Sequence, residues 1–357
     1  MKISGKFFIA ACFLSGILNS CSSTGEQKPT PVVVFAAGSL ITPFHQIEEA
    51  FEKKYPAIDV QSEYHGSIQV MRHVTDLKEK IDVVATADVS LIPMLMYAST
   101  NEETGAPYAD WYIHFATNKL GIAYNDGSKY ADEINESNWY EVLSRKDVRV
   151  GLADPRFDAA GYRALMTFGL ANKYYRDPKI FIKMFKGRFD PKVTLFQDDD
   201  IAMVTVPEIV DTVPGSGLIV RGASVELLSL LESGDLDYAF EYESVIQQHG
   251  LNTISLPDEL NLGSEKMDYG GIEVLLDFQR FAKVKPVFKG EQIGYGITIP
   301  TNSEHPDEAG LYIEFLLGPE GRVIMEANKQ PVFENPLGVD HDSIPANLQV
   351  LCTPSGT

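Results

Sequence analysis

The chain is 357 residues long, 44% hydrophobic and 22% charged, with a formal net charge of −20. So acidic a balance argues against nucleic acid as a partner, because a phosphate-binding surface needs clustered Lys and Arg. It argues less against a small anion, since exposed charge is screened beyond about 8–10 Å and a closed cleft can hold an anion through local N–H groups.

Met1 to Cys21 reads as a bacterial secretion signal. Lys2 and Lys6 give a basic start, Phe7 to Leu18 an apolar run, and Leu18-Asn19-Ser20-Cys21 a lipobox. On this reading Cys21 becomes the lipidated N-terminus, residues 22–31 form a tether, and the mature domain is an exported, periplasmic, membrane-anchored lipoprotein. No later apolar run approaches the roughly 20 residues that span a bilayer. Of three cysteines, Cys12 leaves with the signal and Cys21 is lipidated, so Cys352 has no disulfide partner. The seven His are scattered, which speaks against a His-rich metal centre and for no cofactor.

The mature chain opens with a buried strand, Val32 to Ala37, that runs into Gly38-Ser39. Thr42-Pro43 starts a helix with Phe44, Ile47 and Phe51 on one face, and Pro56 stops it. Ile58 to Tyr64 alternates as a strand and leads into His65-Gly66-Ser67, a helix from Ile68 to Leu77, and a short strand from Asp82 to Ala87. Ile113 to Tyr124 reads as strand passing into strand, and so does Ile293 to Pro300, before a helix with Pro306, Asp307 and Glu308 in its first turn. These two stretches are read as crossovers between two lobes. Residues 32–115 plus 293–345 form the first lobe, 116–292 the second, and 346–357 a C-terminal tail. The class is α/β, each lobe a mainly parallel sheet flanked by helices. Arg188 to Ser216 fits neither lobe and reads as an insertion or a loop over the cleft.

Four junctions share one design of apolar strand, short polar turn and helix: Phe35 to Ser39, Tyr64 to Ser67, Val150 to Gly161, and Leu218 to Glu226. A helix N-terminus presents unpaired N–H groups and a partial positive charge, which suits an oxyanion. Each residue also has a plainer reading. Ser39, Ser67, Ser224 and Asp158 are good N-caps, Glu226 complements a helix dipole, Arg72 and Arg163 sit on solvated faces, and Tyr242 is a core or rim aromatic. Only the repetition across both lobes favours a shared site.

Several blocks resemble the extracytoplasmic molybdate/tungstate-binding proteins of ABC transporters, in particular the tungstate-type subfamily. They are Phe35-Ala-Ala-Gly-Ser39-Leu, Asp82-Val-Val-Ala-Thr-Ala-Asp88, Asp154-Pro-x-x-Asp158-x-x-Gly161-Tyr-Arg163, and Leu231 to Leu251 with Leu256 to Leu262. The resemblance spans about Val32 to Pro336. It implies a two-lobed periplasmic-binding-protein fold that closes by a hinge on one tetrahedral oxyanion, tungstate or molybdate, as a monomer serving ABC permease and ATPase subunits. By position, Ser39 and Ser67 match the donors of the first lobe. Ala160 matches a backbone N–H donor and Tyr242 a phenol donor of the second. Asp158 matches the first of two carboxylates that ligate the metal centre. The second departs from the subfamily: Arg221-Gly-Ala-Ser224 replaces an Arg-Pro-Lys-Glu run, and Ala159-Ala160 a Pro-Cys pair. Either Glu226 takes the ligand role through a shifted turn, or the site is nearer four-coordinate with Ser224 donating a hydrogen bond. Two residues along a helix rotate a side chain by about 200°, which favours Ser224.

Rival readings are a same-fold receptor for sulfate, phosphate, an organic anion or ferric ion, an enzyme, and a structural lipoprotein. No Gly-x-Ser-x-Gly elbow surrounds Ser39 and no Walker-type loop is present, which argues against catalysis.

Overall fold

The computed structural model describes residues 28–198, 200–277 and 286–356. The signal segment and the lipobox Cys21 lie outside the described residues. Among these residues no helix is long and apolar enough to cross a membrane.

The first part of the chain runs β1 (Thr30–Ala37), α1 (Ile41–Lys54), β2 (Ile58–His65), α2 (Ser67–Thr75), β3 (Val83–Thr86) and β4 (Tyr112–Thr117). Then follow β5 (Leu120–Tyr124), α3 (Trp139–Leu143), β6 (Val150–Ala153), α4 (Ala159–Tyr174), α5 (Ile180–Phe185), β7 (Thr194–Gln197) and β8 (Ala202–Pro207). Next come β9 (Leu218–Arg221), α6 (Glu226–Glu232), β10 (Tyr238–Tyr242), α7 (Glu243–Gln248), β11 (Asn252–Ser255), β12 (Ile272–Asp277) and β13 (Val287–Lys289). The chain closes with β14 (Gly294–Thr298), α8 (Pro306–Leu317), α9 (Pro319–Ala327), β15 (Val332–Val339), α10 (Ala346–Gln349) and β16 (Thr353–Pro354).

Three sheets result. The first has the order β16-β15-β4-β14-β3-β1-β2, the second β11-β5-β10-β6-β9, and the third β13-β12-β8-β7. The first two are mixed. They are parallel where a strand leads into a helix, as in β1 with β2 and β3 and in β6 with β9 and β10. They are antiparallel where the chain passes between sheets, as in β14 with β4 and β5 with β10. Residues Asn118 and Lys119 link β4 of the first sheet to β5 of the second, and residues 290–293 lead back to β14. Residues 346–356, read as a tail, instead add α10 and an edge strand, β16, paired with β15.

Parallel pairing decides what lies at the strand ends. Ala37 is in register with His65, and Ala36 with both Tyr64 and Ala85. Gly38-Ser39, Gly66-Ser67 and Ala87-Asp88 therefore emerge on one edge of the first sheet, where ligands of open α/β sheets bind. In the second sheet Ala153 pairs with Arg221, and β10 runs parallel to β6, which brings Asp158, Ser224 and Tyr242 to a matching edge.

The segment Arg188 to Ser216 does not cover that cleft. It supplies β7 and β8 to the third sheet, which packs on α4. A side chain at Gly169 would meet Ile272 Cδ1 at 2.6 Å, so helix and sheet approach through a glycine. With sheets on both sides, α4 is buried almost all round.

Candidate functional site

The two sheet edges touch. A side chain at Gly66 would meet the Phe157 carbonyl oxygen at 2.3 Å, and one at Gly38 would meet Val225 Cγ2 at 3.1 Å. The first turn of α2 donates across the gap, from Ile68 N to Phe157 O at 3.0 Å. Ser39, Ser67, Asp158, Ala160, Ser224 and Tyr242 are all buried around this contact.

The three serines do not cap helices. Ser39 lies in a single 3-10 turn, Ser67 is the first residue of α2, Ser224 precedes the N-cap of α6, and none makes a side-chain cap bond. Their hydroxyls are held by other partners. Ser67 Oγ accepts from Ala87 N at 3.0 Å, so its own proton is free to point elsewhere. Ser39 Oγ and the Tyr295 phenol are 2.9 Å apart, and that phenol oxygen in turn accepts from Asn118 Nδ2 at 3.1 Å. With its oxygen so occupied, Tyr295 can donate to Ser39 and leave the serine proton outward. Burial pushes the Tyr295 phenol up, so it keeps this proton.

Tyr242 repeats the pattern. Its phenol oxygen accepts from Arg163 Nη1 at 2.7 Å, and burial pushes its titration well above the ordinary range. The phenol is therefore a neutral O–H with its acceptor side filled.

Arg163 contradicts the reading that placed it on a solvated face. It is buried at 3% exposure because α4 is enclosed by two sheets and the opposite edge. Its Nη1 also donates to Ala87 O at 2.6 Å, and its Nη2 lies 3.4 Å from Asp88 Oδ2. Tyr162 donates to the same Asp88 oxygen while its ring stacks on Phe288 at 4.1 Å. Two consecutive residues of α4 thus grip the loop after β3.

Asp158 is the N-cap of α4. Its Oδ1 accepts from Ala160 N at 2.9 Å and its Oδ2 from Ser224 N at 3.0 Å. Burial raises its titration, against these two bonds and the field of Arg163. The Ala160 N–H, expected to face the ligand, is turned to Asp158 by ordinary capping. Glu226 is a second correction. It is exposed in the first turn of α6, and a side chain at Gly222 would meet its Oε1 at 3.4 Å. The turn from Gly222 to Val225 directs Ser224 inward and Glu226 to solvent, so Glu226 is not among the buried groups.

Residues 32–328 match the family of bacterial extracellular solute-binding proteins. The chain belongs to that family. An uncharacterized solute-binding protein of Petrotoga mobilis is 38% identical over 347 residues, 96% of this chain and 95% of the relative. A molybdate/tungstate-binding protein, WtpA, of Thermococcus kodakarensis is 35% identical over 340 residues, covering 92% of this chain and 90% of the relative. Among solved structures, the periplasmic molybdate-binding protein of Azotobacter vinelandii shares the fold with a TM-score of 0.53 at 12% identity, over 85% of this chain and all of that one.

Asn118, Tyr295 and Glu241 are the members of this buried cluster that sequence reasoning missed. The motif signal was strand–turn–helix, and these three sit at a crossover, in a return strand and inside β10. The one available clue was a Glu in the apolar run Tyr238 to Tyr242, where burial of an unpaired carboxylate is costly.

Proposed function

We propose that this solute-binding protein captures tungstate or molybdate between its two lobes and delivers it to the permease and ATPase of an ABC importer. The observation that carries the reading is the polarity of the buried hydroxyls. Ser67 and Tyr242 each accept from a protein N–H, and the Asn118–Tyr295 chain can donate to Ser39 in the same sense, which leaves their hydrogens free to point away from their supports. A shell of neutral O–H donors backed by one arginine suits a dianion and repels a cation such as ferric ion. The WtpA relative, a molybdate/tungstate-binding protein, agrees in ligand class.

In this mechanism the open protein binds the oxyanion on one lobe and the second lobe closes on it, adding contacts from the other side. Ser39 and Ser67 donate from the first lobe, Tyr242 and Ser224 from the second. Asp158, with both oxygens held by backbone N–H groups, faces the metal centre as a ligand, and Ala160 positions it. No bond chemistry is involved. The hydroxyl of Ser39 pairs with a tyrosine, so it lacks the general base that a nucleophile requires. Export, anchoring through Cys21 and action as a monomer complete the reading.

Calorimetric titration of residues 22–357 with tungstate, then molybdate, with sulfate in competition, tests it. Tight one-to-one tungstate binding that sulfate does not displace is expected. Sulfate or phosphate binding more tightly would move the protein to a different oxyanion, and no heat with any of them would remove the reading.

A further inference from the structure

Four buried polar side chains meet where the chain crosses between the first two sheets. Asn118 lies between β4 and β5, and Ser244 on α7, Tyr295 on β14 and Gln330 ahead of β15 are buried around it. Asn118 Oδ1 accepts from the backbone N–H groups of Lys119 at 2.9 Å and Ser244 at 3.4 Å. Its Nδ2 therefore faces the other three, with Ser244 Oγ at 2.8 Å, the Tyr295 phenol oxygen at 3.1 Å and Gln330 Oε1 at 3.3 Å. Gln330 is fixed in the same way, because its Nε2 donates to the Thr117 carbonyl oxygen at 2.7 Å and leaves only Oε1 for the cluster.

The protons these groups own set a direction. Gln330 Oε1 can only accept, and it takes the Ser244 hydroxyl proton at 3.3 Å. Ser244 Oγ then accepts one Asn118 amide hydrogen, and the other reaches Tyr295 at the shorter of its two remaining distances. The phenol has a single proton, and its remaining partner is Ser39 Oγ at 2.9 Å. The bond between them thus runs from tyrosine to serine. A buried chain of this kind keeps its direction, because reversing one bond sets two donors or two acceptors face to face away from water.

We propose, building on the oxyanion reading above, that Asn118 is a positioning residue that fixes Ser39 as a hydrogen-bond donor to the ligand. Asn118 acts only through Tyr295. With the phenol held as acceptor toward Asn118 and donor toward Ser39, the serine has one lone pair filled and its proton left for the cleft. In the reverse arrangement Ser39 donates to Tyr295 and turns lone pairs on the anion. An acceptor at position 118 enforces that reversal, since the phenol proton then goes to residue 118. The same amide also holds Ser244 in the first turn of α7, whose N-cap is Tyr242. One side chain at the crossover thereby supports donors assigned to both lobes.

The test is a double-mutant cycle read by calorimetric tungstate titration of the full chain. Asn118→Asp puts an acceptor where the amide nitrogen stood and should lower affinity by about ten- to a hundredfold, the worth of one hydrogen bond to a charged group. Tyr295→Phe alone should cost a few-fold at most, because Ser39 keeps its proton for the ligand. Tyr295→Phe in the Asn118→Asp chain should recover most of the loss, since the serine then has no tyrosine to donate to. A packing role, or the added charge by itself, gives losses that add, with no recovery. Wild-type affinity in Asn118→Asp, or a double variant that binds no tighter than Asn118→Asp, overturns the proposal and leaves the ligand reading intact. If Asn118→Asp fails to fold, Tyr295→Phe decides the direction alone. Binding tighter than wild type shows that Ser39 had been donating to Tyr295 and overturns the proposal, whereas equal or slightly weaker binding supports it. No tungstate binding by the wild-type chain overturns the ligand reading, and the proposal with it.

Discussion

Arg163 and Tyr242 meet through a single hydrogen bond of 2.7 Å, and the nitrogen that makes it also reaches the Ala87 carbonyl at 2.6 Å on the opposite sheet edge. One guanidinium therefore supports a buried phenol and ties the two sheet edges together. On the function proposed above, contact with ligand and closure of the cleft are linked at this residue.

Replacing Arg163 by Met should weaken both. It leaves the buried Asp88 without that cation, bonded to Tyr162 and Ser90, and breaking a buried pair from one side typically costs about 3–5 kcal/mol. The expected result is a large loss of tungstate affinity with reduced closure on ligand. Calorimetry and small-angle scattering with and without tungstate would show it. Unchanged affinity would separate the latch from the site.

Tyr242→Phe removes one donor and leaves Arg163 bonded to Ala87. A hydrogen bond to a charged group contributes about 1.5–3 kcal/mol, so affinity should fall by roughly one to two orders of magnitude while thermal stability changes little. Ser39→Ala should act in the same direction on every oxyanion. Asp158→Ala should change the ranking of tungstate, molybdate and sulfate if its carboxylate ligates the metal centre.

Gly66→Ala tests closure without touching a polar group. The added methyl would lie 2.3 Å from the Phe157 carbonyl oxygen and 3.1 Å from the Asp158 Cα, and both are backbone atoms that cannot swing aside. The lobes should be held apart, with binding nearly lost and the folding of each lobe kept. A scattering profile that stays open in saturating tungstate is the expected signature.

His114 predicts an acid limit on stability. Burial pushes its imidazole down to about 4, its Nε2 has no partner, and its ring packs edge-on against Phe333 at 4.7 Å. An unfolded His titrates near 6.5, so between about pH 6.5 and 4 the unfolded chain binds the extra proton. Stability should therefore fall with falling pH in that window, by up to about 1.4 kcal/mol per unit. Denaturant unfolding at pH 7, 5.5 and 4.5 should show the loss, and His114→Gln should reduce it.

Much of the candidate site was legible because the residues proposed for it follow a local rule. Ser39, Ser67 and Asp158 each end an apolar strand at a polar turn, and Tyr242 closes the strand Tyr238–Tyr242. Glu226 follows the same rule and is nevertheless exposed, because the direction of a side chain in a turn depends on the path of the backbone. Arg163 was misread for a related reason. Its position on α4 is visible in the sequence, but the groups that bury it, Ala87 and Asp88 on the opposite sheet edge and Tyr242 on β10, lie 75 or more residues away in the chain.

What the sequence by itself determined is the local grammar: strands, helices, the turns between them, and the kinds of side chain offered at each turn. These follow from periodicity, glycine, proline and capping chemistry within a few residues. Tertiary structure alone decided which offered groups face one another and in what state. Tyr295 lies 256 residues from Ser39, Arg163 lies 76 from Ala87, and Ser224 lies 66 from Asp158. Contacts at such separations depend on strand register and lobe closure, and so does the burial that keeps a proton on the Tyr242 and Tyr295 phenols.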